Sequence, residues 1–174
     1  MITNLVSDPF IAVCPIIPKL ESLTQGYFQK RGVCVPTLQK IGGDDTWNVL
    51  FRPYRLQFSC SYGRFEFLFF EGFTTDWASV PKAFRGFIDN DDRNLMLPAL
   101  VHDAMFKSKF FGTEKQGFDT ANVIFKELME WAEMKPSTID AVLASVSSWI
   151  GWANYQKRFD RDSQQFLNCE IREL

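Results

Sequence analysis

Hydrophobic and polar residues alternate with a period of two along residues 54–70. From Leu56 to Tyr62 every second residue is apolar, and after Gly63 the alternation resumes through Phe65, Phe67 and Phe69. Two alternating runs around a glycine predict an antiparallel β-hairpin at about residues 54–70. Because one face of this hairpin is nearly all aromatic, it must cover a core or meet a partner, and we interpret it as the core face.

Beyond the hairpin, apolar residues recur three and four positions apart, which predicts three amphipathic helices. Their approximate limits are Pro98 to Lys107, Thr113 to Met134, and Pro136 to beyond Ala153. Thr113 and Gln116 resemble a capping box at the start of the second helix. Trp149 and Trp152 fall on or beside the apolar stripe of the third helix, so we expect both to pack in the core or at its rim.

Composition shifts divide the chain into three parts. Residues 1–48 carry four prolines and a Gly42-Gly43 pair, which predicts an irregular N-terminal arm with one or two short strands. Residues 49–158 hold the hairpin and the helices and form the expected core domain. From Lys157 the chain becomes more charged, and residues 159–174 are interpreted as a C-terminal tail. The fold class that follows is α+β, with a small antiparallel sheet packed on three helices.

Charge and composition exclude several classes of protein. Nineteen basic and 21 acidic residues give a net charge of −2 without a long run of either sign, which disfavours nucleic-acid binding. No stretch approaches eighteen apolar residues, so no membrane span is expected. The four cysteines are far apart and are interpreted as reduced thiols. Without a signal-peptide pattern at the N-terminus, we expect synthesis in a cytoplasm.

Two short segments hold the candidate chemistry. Asp76 and Ser79 follow the hairpin, and the only histidine, His102, is next to Asp103, with apolar residues around all four. Ionisable groups in apolar surroundings are costly to bury without partners, so we expect a partnered cluster. Such a cluster is either a working site or a polar network that holds the loop against the helices.

Two catalytic interpretations use these residues. In a metal-dependent hydrolase, Asp76, His102, Asp103 and Asp119 would be the ligands. A single imidazole is poor for zinc, whereas a hard divalent cation on the carboxylates stays open. In a metal-free hydrolase, Ser79 would be the nucleophile and His102 the base, with Asp76 or Asp103 orienting it. The competing interpretation is that Asp76 and Ser79 cap a short turn at Pro81. No cofactor is expected.

Three motifs resemble a known family. They are Gly72-Phe73-Thr74-Thr75-Asp76-Trp77-Ala78-Ser79-Val80-Pro81, Leu100-Val101-His102-Asp103 and Ala121-Asn122-Val123-Ile124-Phe125. Over roughly residues 50–155 the chain resembles the DUF1353 family of small proteins from bacteriophages and prophages. The resemblance implies an α+β fold and a phage context, but no established activity. The family's third motif has an aspartate where this chain has Asn122, with Asp119 one turn earlier on the same helical face.

The resemblance and the residues together favour a bacteriophage protein that is virion- or tail-associated and is built around a His-Asp polar site. In this structural interpretation His102 hydrogen-bonds Asp76 or Asn122, and an amide suits such a network because it both donates and accepts. Other virion proteins would be its partners, and its oligomeric state is left open. It would be made in the host cytoplasm. The alternative is a small phage hydrolase acting on cell envelope or nucleotide through His102, Asp103 and Asp76.

Overall fold

The computed structural model describes residues 53–75, 93–157 and 168–174, together with five short strands between residues 10 and 50. The strands are β1 (Phe10–Ile11), β2 (Tyr27–Lys30), β3 (Val33–Pro36), β4 (Leu38–Ile41), β5 (Trp47–Leu50), β6 (Tyr54–Cys60), β7 (Gly63–Phe69), β8 (Thr74–Thr75) and β9 (Cys169–Glu173). The helices are α1 (Arg93–Ser108), α2 (Lys115–Trp131), α3 (Pro136–Val146) and α4 (Trp149–Lys157). The class is the predicted α+β.

The largest sheet is antiparallel, with the strand order β1-β6-β7-β9. Its centre is the predicted hairpin, in which Phe58 is opposite Phe65 and Leu56 is opposite Phe67. The inward-facing aromatic rings are almost fully buried, and they form the sheet side of one apolar core whose other side is made by the helices. The aromatic face therefore covers the core, as the alternation indicates.

The hairpin turn is fastened to a helix. Cys60 pairs with Gly63 across the turn. Gly63 has φ = +131°, a backbone angle that residues with a Cβ rarely adopt. Inside the turn, the backbone N–H of Ser61 donates to a carboxylate oxygen of Glu127 at 3.1 Å, and the Ser61 hydroxyl donates to the other. Because Glu127 lies on α2, these bonds hold the end of the sheet against that helix.

The N-terminal part of the chain is richer in strands than predicted. Five strands lie between residues 10 and 50, where one or two were expected. β2 pairs with β3, β4 pairs with β5, and β5 also pairs with β8. Four of these strands have only four residues, and Pro36 closes β3. Pro36 is tolerated there because a strand end does not need its missing N–H.

Two helix starts also differ from the prediction. α1 begins at Arg93 and contains Pro98, which was expected in its first turn. Proline removes a single i→i−4 hydrogen bond here, close to the N-terminal end, and the helix continues through it. α2 begins at Lys115 with Glu114 at the N-cap, where no side chain caps the helix. The capping box predicted at Thr113 and Gln116 does not form.

The last predicted helix is two helices, so the described residues hold four rather than three. α3 ends at Val146, and the Ser148 hydroxyl accepts the Gly151 N–H at 3.2 Å, which caps the start of α4. The break moves Trp149 off the buried stripe, and 78% of its surface is exposed. The expectation that Trp149 packs in the core or at its rim was therefore wrong. Trp152 packs edge-on against Phe118, as expected.

Part of the predicted C-terminal tail is a strand of the sheet. β9 pairs with β7 so that Ile171 is opposite Phe67 and Cys169 is opposite Phe69. Cys169 is buried and free, and Cys60 is also free. The short alternation from Cys169 to Ile171 was the sequence signal, but charged neighbours concealed it. Within the described residues no helix is long and apolar enough to cross a membrane.

Candidate functional site

His102 lies in the interface between α1 and α2, and only 1% of its surface is exposed. Its ring is enclosed by two phenylalanines, with centroid distances of 3.9 Å to Phe106 and 4.4 Å to Phe125. Phe106 is one turn further along α1, and Phe125 belongs to the buried stripe of α2. The helical periodicity that buries these two rings therefore also buries the imidazole between them.

Asn122 is the polar partner of His102 across this interface. The Nε2 of His102 lies 3.0 Å from the Oδ1 of Asn122. An amide oxygen only accepts, so this nitrogen carries the proton and donates it. The Nδ2 of Asn122 has no acceptor within the described part of the chain. The side chain of Asn122 thus contributes its oxygen, as the acceptor for His102.

Asp103 faces a different neighbour, because successive helical side chains point about 100° apart. Its carboxylate accepts a hydrogen bond from the Thr75 hydroxyl, with 2.5 Å between Oγ1 and Oδ2. Thr75 is fully buried on β8, and Asp103 is 1% exposed. A hydroxyl that donates to a buried carboxylate is a charge-assisted bond, which is stronger than a neutral one. This bond joins α1 to the strand that precedes Asp76.

Lys107 reinforces that contact one turn later on α1. Its ammonium donates to the backbone oxygen of Thr74, lies 3.3 Å from the Thr74 hydroxyl, and is 4.8 Å from the centre of the Phe73 ring. Asp103 and Lys107 are therefore an i, i+4 pair that binds residues 73–75. His102 and Phe106 are a second i, i+4 pair, and it packs against α2. Two neighbouring faces of α1 therefore contact two different elements, residues 73–75 on one side and α2 on the other.

The sequence-predicted site residues have different outcomes. His102, Asp103 and Asn122 are buried together on α1 and α2, whereas Asp76 and Ser79 lie outside the described residues. Asp119 is not part of the site. Its side chain is 54% exposed and forms an ion pair with Lys115 on the surface of α2. It therefore does not replace the carboxylate that Asn122 lacks.

Metal binding has no support among the residues described. Within that part of the chain, no group of three or more histidine, cysteine, aspartate or glutamate side chains is placed to bind an ion. His102 directs its Nε2–H at an amide oxygen, and Asp103 accepts from a hydroxyl on another element. Each of these two bonds joins two elements of the fold.

Thr75 and Lys107 were missed as members of this cluster. Thr75 is next to Asp76 in the first motif, but a threonine at the end of an apolar run is an ordinary strand residue. Lys107 ends a predicted helix, where a lysine normally stays in water. The available signal was the spacing of Lys107 from Asp103, because residues four apart share one face of α1. His102 and Phe106 share the next face in the same way.

A family model described as "Protein of unknown function (DUF1353)" matches residues 54–146, which is more than half of the chain. The chain belongs to the DUF1353 family. No curated protein and no solved structure matches it.

The family match covers the whole of the site. It starts at the first residue of β6 and ends at the last residue of α3, so that it includes the hairpin, β8 and the α1–α2 interface. α4 and β9 lie beyond it. The DUF1353 region of this chain thus contains both polar pairs, His102 with Asn122 and Asp103 with Thr75.

Proposed function

We propose that this DUF1353 protein is a virion- or tail-associated component of a bacteriophage, and that its His-Asp cluster is a structural fastening. The resemblance of its motifs to a phage and prophage family supports the phage context. The observation that carries the structural role is the enclosure of His102 between Phe106 and Phe125 at 1% exposure. A general base or a metal ligand must reach a substrate or an ion through a ring nitrogen. The Nε2 of His102 is instead bonded to the Oδ1 of Asn122, inside the interface between α1 and α2.

The contacts of Asp103 support the same role. A catalytic carboxylate beside a histidine normally orients that histidine. Here the Thr75 hydroxyl donates to Asp103, and the amide of Asn122 accepts from His102. The two acid-base groups are thus used on two different interfaces of α1. Such contacts fix β8 and α2 in position against α1. Fixed elements of this kind are what the domain would present to neighbouring proteins in a virion.

Mass spectrometry of purified virions tests the assignment. In a phage that encodes the protein, we expect it in density-gradient-purified particles at a constant ratio to the major tail protein. A phage early protein that is abundant in the infected cell is the control for carry-over. Depletion of the DUF1353 protein from the particles to the level of that control would contradict the proposal.

A second experiment separates fastening from catalysis. The variant His102→Phe with Asn122→Leu removes the imidazole and its amide partner together, so that neither polar group is left buried alone. If the cluster is structural, the double variant folds and supports normal phage titre. The hydrolase interpretation requires the opposite result, a double variant that folds but lowers the phage titre. That result would favour His102, Asp103 and Asp76 as catalytic residues.

A further inference from the structure

β9 forms an edge of the largest sheet. Within the described residues it pairs with β7 alone, while the opposite edge of the sheet is the two-residue strand β1. The side chains of Glu170 and Arg172 are about half exposed, at 47% and 53%. An exposed strand edge carries backbone donors and acceptors that can pair with another strand.

The hydrogen-bond pattern shows which residues of β9 direct their backbone groups outward. The Leu174 N–H donates to Arg64, and the Phe70 N–H donates to Asn168, so that residues 168 and 174 bond towards β7. In an antiparallel pair such residues alternate along the strand. Glu170 and Arg172 therefore also bond towards β7, and Cys169, Ile171 and Glu173 present their N–H and C=O groups to the open edge.

The sequence of β9, Cys169-Glu170-Ile171-Arg172-Glu173, is complementary to itself in charge. When two copies are placed antiparallel about a two-fold axis at Ile171, Glu170 of each copy is opposite Arg172 of the other. These are non-hydrogen-bonded pairs, in which the side chains approach most closely. Opposite charges directly across such a pair stabilise it.

We propose that the protein forms a homodimer by pairing β9 with β9 of a second copy, antiparallel, with Ile171 opposite Ile171. The three outward-facing residues then make the hydrogen-bonded pairs, Ile171 with Ile171 and Cys169 with Glu173 in both directions. The two sheets become one continuous antiparallel sheet. The helices of both copies lie on the same side of it, because a two-fold axis perpendicular to a sheet exchanges the strands but keeps the faces.

The charge pattern within one copy extends into this arrangement. Glu66 is buried on β7, with Gln57 opposite it on β6 and Arg172 opposite it on β9. Arg172 lies between Glu66 and Glu170, at 3.9 Å and 2.8 Å. In the dimer, Glu170 of the second copy adds a carboxylate on the open side of the same arginine. The row of charges therefore alternates in sign across the interface.

The competing explanation is that charged side chains on an edge strand prevent association. Hydrogen exchange by NMR distinguishes the two, because the protein contains its own control. In a β9 dimer the Ile171 amide becomes protected as the protein concentration rises, in step with a doubling of mass in sedimentation equilibrium. The Arg172 amide, which bonds towards β7, is protected at every concentration. A monomer with a fast-exchanging Ile171 amide throughout the range would overturn the proposal.

Two variants test the register. Glu170→Arg places like charges opposite each other twice, and we expect it to weaken dimerisation about tenfold or more. Asp140→Arg makes the same change of charge on the exposed face of α3, and it should leave the dimer unchanged. Glu173→Pro removes an outward N–H from an exposed position without removing a bond to β7, so it should also weaken the dimer.

Unfolding by urea shows whether each variant retains the stability of its monomer. Folded variants with weaker association support the β9 interface. A dimer that both Glu170→Arg and Glu173→Pro leave intact would show that the copies associate through another surface, and the proposal would fail.

Discussion

The Nε2–H of His102 on α1 is bonded to the amide oxygen of Asn122 on α2, in the space between two phenylalanine rings. Both residues are at least nine-tenths buried. Inside a protein such a pair is far more costly to break on one side than to remove on both, because the partner that remains keeps an unsatisfied polar atom. The pair therefore behaves as a unit in the stability of the fold.

A double-mutant cycle measures that unit. We expect Asn122→Leu to lower the free energy of unfolding by about 1–3 kcal/mol, because the imidazole loses its acceptor. His102→Phe should cost a similar amount or more. The double variant should be more stable than the sum of the single effects predicts, by about 1 kcal/mol, since no orphaned group remains. Urea unfolding followed by circular dichroism gives all four values, and strictly additive effects would argue against a coupled pair.

The Asp103–Thr75 bond predicts a second effect on stability. Thr75→Val keeps the shape of the side chain and removes the hydroxyl that donates to the buried carboxylate. We expect the free energy of unfolding to fall by about 1.5–3 kcal/mol, the range for hydrogen bonds to charged groups. Thr113→Val is the matched control. Thr113 is exposed and caps no helix, so its change should stay within about 0.5 kcal/mol.

The hairpin and the buried helix stripes could be predicted from sequence because each depends on a local period. Phe65, Phe67 and Phe69 face the core, and Phe118 and Phe125 line α2, as their spacing indicates. Trp149 could not be predicted in the same way. Its apolar spacing continues that of α3, but two serines at 147–148 end one helix and begin another, which turns the side chain into solvent.

The burial of His102 and Asp103 could be predicted from sequence, whereas one of their two connections could not. A lone histidine and an aspartate in apolar sequence predict a buried polar cluster, and His102 with Asn122 was among the expected pairs. The partner of Asp103 was not, because Thr75 is distant in sequence and has no charge. Which hydroxyl reaches a buried carboxylate depends on how β8 lies against α1, and no local period contains that information.

Tyr155 gives a prediction that can be followed by its own absorbance. Burial raises the pKa of this phenol to about 12, and its hydroxyl donates to the backbone oxygen of Gly112. An unfolded tyrosine ionises near pH 10, at about its ordinary pKa. The folded state thus favours the neutral phenol, so this contribution to stability is complete below about pH 10 and is lost as the pH rises towards 12.

Ultraviolet titration of tyrosinate in the native protein should show a late step with a midpoint of about 12. The step should be absent in Tyr155→Phe, and it should move to about pH 10 when the protein is unfolded in urea. Tyr155→Phe leaves the other three tyrosines in place, so the difference between the two titration curves reports Tyr155 alone. A native titration curve that Tyr155→Phe leaves unchanged above pH 11 would contradict the buried position of this phenol.

Glu66 predicts that stability falls in acid. Hydrogen bonds from Gln57 and Arg55 hold the pKa of this carboxyl below its usual value, and the charge of Arg172 acts in the same direction. A carboxyl with a lowered pKa in the folded state stabilises the protein above its unfolded pKa, about 4.3, and loses that contribution as the pH falls through the lower folded value. We therefore expect the free energy of unfolding of the wild-type protein to exceed that of Glu66→Gln by a constant amount from neutral pH to about pH 5, and by less below it.

Urea unfolding of the wild-type protein and Glu66→Gln, between pH 7 and the lowest pH at which they fold, measures that difference. Glu130→Gln, which alters an exposed i, i+4 pair with Lys126 at 3.5 Å, is the control and should change stability little at any pH. If the difference between the native protein and Glu66→Gln did not vary with pH, ionisation of Glu66 would not be coupled to folding.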